Sequence, residues 1–176
     1  WIIKRNINIH VFIAILGVLL FVFFFAYNFN HGERIQHNDG LGWDGTAYAD
    51  WAQRDSIEVL TSNKISSYYI GRLLPSIIIH NISELINYDI SSTPRVIHAF
   101  YIWNFFLLLV GLGFLILIGR HYKWNLPIYI LAFSAIYLNY PILTNLSYNP
   151  TLVDVSAYIL GVASFYFYEI MKILCK

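Results

Sequence analysis

Charge is the scarcest commodity in this sequence. Only 12% of its 176 residues are Asp, Glu, Lys or Arg, about half the share in an ordinary soluble domain. Basic and acidic residues nearly balance, 11 against 10, for a net charge of +1. That leaves no basic face for phosphates and excludes nucleic acid as a partner. A single cysteine, Cys175, excludes a disulfide framework and any Cys-rich zinc or iron–sulfur site. No glycine-rich phosphate loop, nucleophile elbow, His-Glu-x-x-His motif or internal repeat occurs. What fills the space is apolar: 58% of residues are hydrophobic and 18% aromatic, with a mean hydropathy of +0.57. Such a chain has too few polar groups to cover its own surface, which sets aside a soluble enzyme and a disordered chain. The fold class expected is an all-α membrane protein.

The first apolar stretch runs from about Ile7 to Tyr27 and follows Lys4 and Arg5. Its core is longer than a signal-peptide core, and Ala26-Tyr27-Asn28 is a poor cleavage site, so a retained helix is expected. Val96–Ile118, Pro127 to about Leu146, and Leu152–Met171 complete a pattern of about four spans. Pro127 fits a first helical turn. A polar turn around Asn145, Ser147, Asn149 and Pro150 makes the last two an antiparallel hairpin. Under this pattern Lys4 and Arg5, Arg120 and Lys123, and Lys172 and Lys176 share one side, with Glu169 the only acid nearby. The positive-inside rule then places the N-terminus in the cytoplasm and segment 28–95 outside. The organisation expected is 1–27 as the first span, 28–95 as an extracytoplasmic loop and 96–176 as three further spans of a multi-pass plasma (bacterial inner) membrane protein. The chain opens on Trp1 and stops just after an apolar helix, so it is expected to be the N-terminal portion of something larger.

A loop as long as 28–95 is usually functional. Asn28–Gly42 reads as irregular, Gly45 to about Leu60 as a short helix, and Arg72–Asn87 as a second, with Pro75 in its first turn. In the second, Leu74, Ile77, Ile78, Ile82, Leu85 and Ile86 recur at helical spacing opposite Arg72, Ser76, His80, Ser83, Glu84 and Asn87. Ile79 falls on the polar side. The apolar run is too short to span, which favours an amphipathic helix lying in the interface over a re-entrant helix or part of a fifth span.

Asp44, in Gly42-Trp43-Asp44-Gly45-Thr46-Ala47-Tyr48, is the leading candidate for chemistry. Its position before a helix also suits an N-cap accepting a backbone N–H, and a capped carboxylate with a fixed direction suits both roles. Asp39, in Asn38-Asp39-Gly40, reads as a turn residue or a second carboxylate beside Asp44. Arg72 gains nothing from the dipole at a helix N-terminus, which points to a lipid or substrate phosphate. Asp154 lies at the start of an apolar helix, where an acid either complements the dipole or faces a cavity. His31 and His37 near the two aspartates have no metal-ligand spacing, and His80 reads as a residue of the helix's polar face.

In this order, the features resemble the polytopic glycosyltransferases of the GT-C fold, which use lipid-phosphate-linked sugars. Asp44-Gly45-Thr46-Ala47-Tyr48 is similar to their Asp-Gly-x-x-Tyr stretch. Tyr69-Ile70-Gly71-Arg72-Leu73-Leu74-Pro75 is similar to an Arg-x-Leu-x-Pro juxtamembrane helix, though one residue shorter from Arg to Pro, and Pro150-Thr151-Leu152-Val153-Asp154 is similar to a Pro-x-x-x-Asp helix start. The resemblance implies transfer of a sugar from a polyprenyl-phosphate donor to an acceptor at the outer face, with inversion. Asp44 would be the general base, Arg72 the phosphate ligand, and Tyr48, His80 and Asp154 further substrate contacts. Asp39 is the position implied for a divalent cation, Mg or Mn. This chain has fewer spans than typical members and no Asp-x-Asp pair. A transporter or flippase, or a lipid-binding scaffold, is the competing class.

Overall fold

The computed structural model describes residues 9–62, 70, 72–139, 142, 149–151 and 153–174. Lys4, Arg5, Tyr69, Gly71, Asn145, Ser147, Leu152, Cys175 and Lys176 lie outside the described residues. Among the described residues the fold is all-helical: α1 Ile9–His31, a 3-10 turn His37–Gly40, α2 Gly45–Gln53, α3 Ser56–Thr61, α4 Leu74–Leu85, α5 Thr93–His121, α6 Leu126–Tyr137 and α7 Asp154–Leu174. Two of these, α1 and α5, are long and apolar enough to cross a membrane. At 1.5 Å per residue they reach about 35 and 43 Å, beyond the roughly 30 Å of a hydrocarbon core.

α5 is the axis of the molecule. α1 leans on it through Ile13, Gly17 and Phe21, one residue per turn on a single face. At Gly17 the backbone comes so close to Leu112 that an added Cβ would lie 2.7 Å from its side chain. The remaining faces of α1 are largely apolar and exposed, Leu19 and Phe23 most of all. Near the C-terminal end of α1, Phe25 stacks on Tyr101 with ring centroids 4.5 Å apart, and Tyr101 Oη donates to Phe25 O at 2.9 Å. On its other side α5 takes α7 through Val155 and Ile159, which join Leu108, Leu112 and Leu115 in one buried cluster. Trp103 Nε1 adds a bond to Ser156 Oγ at 3.2 Å. α6 has Pro127 in its first turn and Asn125 Oδ1 accepting from Ile128 N. Its helix ends at Tyr137, about 18 Å in all, and the expected end of this span at Leu146 lies outside the described residues.

At the end of the bundle where α1 finishes and α5 and α7 begin, the intervening segment folds into a cap. The single helix expected over Gly45–Leu60 is two helices. The break falls at Asp55, whose carboxylate accepts from Ile57 N and Glu58 N and so starts α3 afresh, as an N-cap aspartate does. α2 buries Tyr48, Ala49 and Ala52 against Ile79 of α4 and against Val96 and Phe100 of α5.

α4 is shorter than the expected Arg72–Asn87. Pro75, Ser76, Ile79, His80 and Ser83 point inward, while Leu74, Ile82, Leu85 and Ile86 are exposed. Ile79, discordant in the sequence pattern, belongs to the buried stripe. Small and polar residues of α4 thus meet protein partners, and several of its branched aliphatics lie outward. His80 is thereby moved from the expected outer polar face into the interior.

At the opposite end Tyr122 Oη donates to Glu169 at 2.5 Å, tying the α5–α6 turn to α7. That hydrogen bond, then burial and the carboxylate's charge, raise the Tyr122 pKa above its ordinary 10.0. Because the folded value is the higher one, the bond's contribution is complete below the ordinary phenol pKa and disappears as pH rises through the raised one. Phenolate absorbance, taken as the difference between wild type and Tyr122→Phe, is expected to titrate above the ordinary value and to return towards it in Glu169→Gln. An unchanged titration in Glu169→Gln would contradict the bond.

Candidate functional site

Three stretches distant in sequence meet on the cap. The turn Leu41–Gly45 packs on Asn149–Thr151, which leads into α7. Thr151 Oγ1 lies 3.0 Å from Leu41 O and 3.1 Å from Asn149 Oδ1, two acceptors for its one proton. Gly42 adopts φ +71, and a Cβ on it would meet Asn149 Nδ2 at 2.7 Å. Both facts call for glycine there. From inside the bundle, Asn104 of α5 reaches the same stretch: it is 1% exposed, and its Nδ2 donates to Pro150 O at 2.8 Å.

On this base sits Asp44. Its backbone carbonyl starts α2, accepting from Ala47 N and Tyr48 N. Its side chain makes no capping hydrogen bond, so of the two roles read from the sequence the carboxylate does not fill the cap. It faces Arg72 instead, Nη1 to Oδ2 3.8 Å, with both side chains a little over one-third exposed. Arg72 Nη1 also donates to Tyr48 Oη at 3.5 Å. Tyr48 is fully buried one helical turn beyond Asp44, so α2 presents a carboxylate and a phenol together to one guanidinium. At this exposure the ion pair contributes about 0–1 kcal/mol to stability. Its interest is chemical: an anion and a cation held side by side, each still reachable by a ligand.

The other expected positions divide. Asp154 is the first residue of α7 and is exposed, three residues after the Thr151 that supports Gly45. Asp39 is exposed on the 3-10 turn in the left-handed region at φ 55. The side-chain bond of that turn comes from its neighbour, Asn38 Nδ2 to Gly42 O at 2.8 Å. Among the described residues no group of three or more His, Cys, Asp or Glu side chains could hold a metal ion. His80 belongs to the far end of α2: its Nδ1 donates to Ala52 O at 2.9 Å, about 12 Å from Asp44 along the helix.

Two participants were not singled out from the sequence. Trp43 is 69% exposed beside Asp44, its indole stacked on His37 at 5.1 Å, a broad aromatic face next to the carboxylate. Asn104 carried a readable signal, a polar residue inside an apolar span, which usually marks an interior partner. No protein-family model, no curated protein and no solved structure matches the chain.

Proposed function

We propose that this protein is a membrane-embedded glycosyltransferase that moves a sugar from a polyprenyl-phosphate donor to an acceptor hydroxyl at the outer face of the membrane, with inversion. The proposal includes about four spans, an N-terminus in the cytoplasm and the cap outside, in the plasma (bacterial inner) membrane. The observation that carries it is the Asp44–Arg72 pair, 3.8 Å apart across 28 residues of chain and open to the surface.

The pair supplies the two charges that the reaction needs. The acceptor hydroxyl gives its proton to an Asp44 carboxylate oxygen as its own oxygen attacks the anomeric carbon. The bond from that carbon to the donor phosphate breaks, and its electron pair leaves with the phosphate oxygen. Arg72 holds that negative charge in a bidentate grip. In the resting protein the guanidinium is occupied by Asp44 and Tyr48. An arriving phosphate competes for it and, by drawing it away, turns the carboxylate over to the acceptor. The donor's lipid tail stays in the bilayer, which the apolar flanks of α1 and α4 supply.

A transporter or flippase would use the same pair to recognise the same amphiphile without reacting it, and a direct assay separates the two. Proteoliposomes holding the purified protein, a polyprenyl-phosphate sugar and a hydroxyl acceptor are expected to yield a glycosylated acceptor with inverted anomeric configuration. Arg72→Lys keeps the charge and loses the planar fork, so transfer is expected to fall about 10- to 100-fold, a loss of roughly 1.4–2.7 kcal/mol in transition-state binding. Movement of labelled donor across the bilayer with no product would establish the carrier instead.

A further inference from the structure

Two cavities flank the C-terminal half of α4 and share Ser83 and Tyr88. One is an apolar groove of about 310 Å³ between α4 and α5, lined by Ile79, Ile82, Ile86, Ala99, Trp103 and Phe106. The other is a polar cavity of about 510 Å³ between α4 and the end of α2, lined by Gln53, His80, Glu84, Asn87 and Ser91. Both fall within the roughly 300–1,000 Å³ range of small-molecule sites. We propose that the pair binds one single-chain amphiphile with an uncharged, hydroxyl-rich head, its chain in the groove and its head in the polar cavity.

The chemistry of each half selects that occupant. The groove lies against α5, one of the two helices able to cross a membrane, and is flanked by the half-exposed Ile102 and Phe106 and by Ile82 and Ile86 of α4. A hydrocarbon chain enters it sideways from the bilayer. The polar cavity offers the His80 ring and the carboxylates of Glu84 and Asp89. His80 is 7% exposed; its Nδ1 donates to Ala52 O, and among the described residues its buried Nε2 has no hydrogen-bond partner, only the wider contact with Glu84. Glu84 Oε1 stands 3.5 Å away, an acceptor on a largely exposed side chain that a head group can push aside. Arg95 nearby is paired with Asp89, and among the described residues neither Lys nor Arg lines the cavity. A phosphate head meets carboxylates and no free cation, whereas hydroxyls hydrogen-bond to carboxylates and ring alike. This site therefore differs in head-group chemistry from the Asp44–Arg72 pair, and its occupancy requires no transfer reaction.

Trp103 in the groove wall supplies the readout. The full chain in phosphatidylcholine nanodiscs is titrated with a chain-brominated dodecyl maltoside and with the equally brominated dodecyl phosphate. The maltoside is expected to quench Trp103 fluorescence saturably, at a concentration at least about tenfold below that of the phosphate. The saturable part should vanish in Trp103→Phe, which lacks the reporter, and in Ala99→Leu, which fills the groove. Glu84→Lys, at an exposed position that folding tolerates, should reverse the preference towards the phosphate. Quenching that is non-saturable and equal for both heads would mean partition into the bilayer and overturn the proposal, as would a head preference indifferent to Glu84→Lys. Failure here leaves the transfer assay untouched, and loss of transfer leaves this binding measurable.

Discussion

Asp44→Asn is expected to lower sugar transfer by about 10²–10⁴-fold, the range for loss of a positioned general base, while the protein stays folded. The geometry separates these effects. The carboxylate caps no helix, and α2 is started by the Asp44 carbonyl, which asparagine keeps. The lost attraction to Arg72 crosses 3.8 Å between partly exposed side chains and is worth about 0–1 kcal/mol. Asparagine preserves the shape and the hydrogen-bonding capacity but cannot take the acceptor's proton. Donor binding should therefore persist, with kcat falling and KM nearly constant. Full transfer by Asp44→Asn would end the base assignment. Comparable losses of Tm and activity would mean that the residue is structural.

The second large effect concerns how the site is built. A Cβ on Gly45 would lie 2.1 Å from Thr151 Oγ1 and 3.0 Å from Thr151 Cβ. Threonine is short, branched and stiff at χ1, and its hydroxyl is tied to Leu41 O, so it cannot turn away without losing that bond. Gly45→Ala is thus expected to cost about 1–3 kcal/mol by overpacking, with about 1 kcal/mol more if the hydroxyl's bond breaks. Thr151→Gly removes both clashing atoms and should rescue much of the loss. Stability of the two single variants and the double variant, measured in one detergent, should show a favourable coupling of about 0.5–3 kcal/mol. Strict additivity would mean that the start of α2 and the approach to α7 do not touch.

Much of this arrangement was legible because it rests on local rules. The charge-free cores of α1 and α5 are visible as unbroken apolar runs, and Pro127 and Pro75 fall in first helical turns, as their missing N–H predicts. Asp44 and Arg72 were singled out for one site with Asp154; the fold sets Arg72 against Asp44 and Tyr48. What could not be read are choices made by tertiary contacts. Periodicity shows that α4 has two unlike faces and says nothing about which of them meets protein. In the structure Ser76, His80 and Ser83 are inside and Leu85 outside. The break at Asp55 was hidden by continuous helix-compatible composition through Ser56–Leu60. The acid at 44 has the right place for a cap, and only the position of Arg72 shows where its side chain turns. Asn149 and Thr151 become meaningful once glycines more than a hundred residues earlier are seen to leave room for them.

The central claim is that the Asp44–Arg72 site stands on the extracytoplasmic side of a membrane-spanning bundle. Substituted-cysteine labelling tests it directly, since replacing Cys175, the one cysteine, with serine leaves a clean background. Trp43→Cys is exposed beside Asp44, and Lys123→Cys lies at the opposite end of α5. In intact cells a membrane-impermeant maleimide is expected to label position 43 at once and position 123 only after permeabilisation. Labelling of position 123 from outside, with position 43 protected until the cells are opened, would contradict the account.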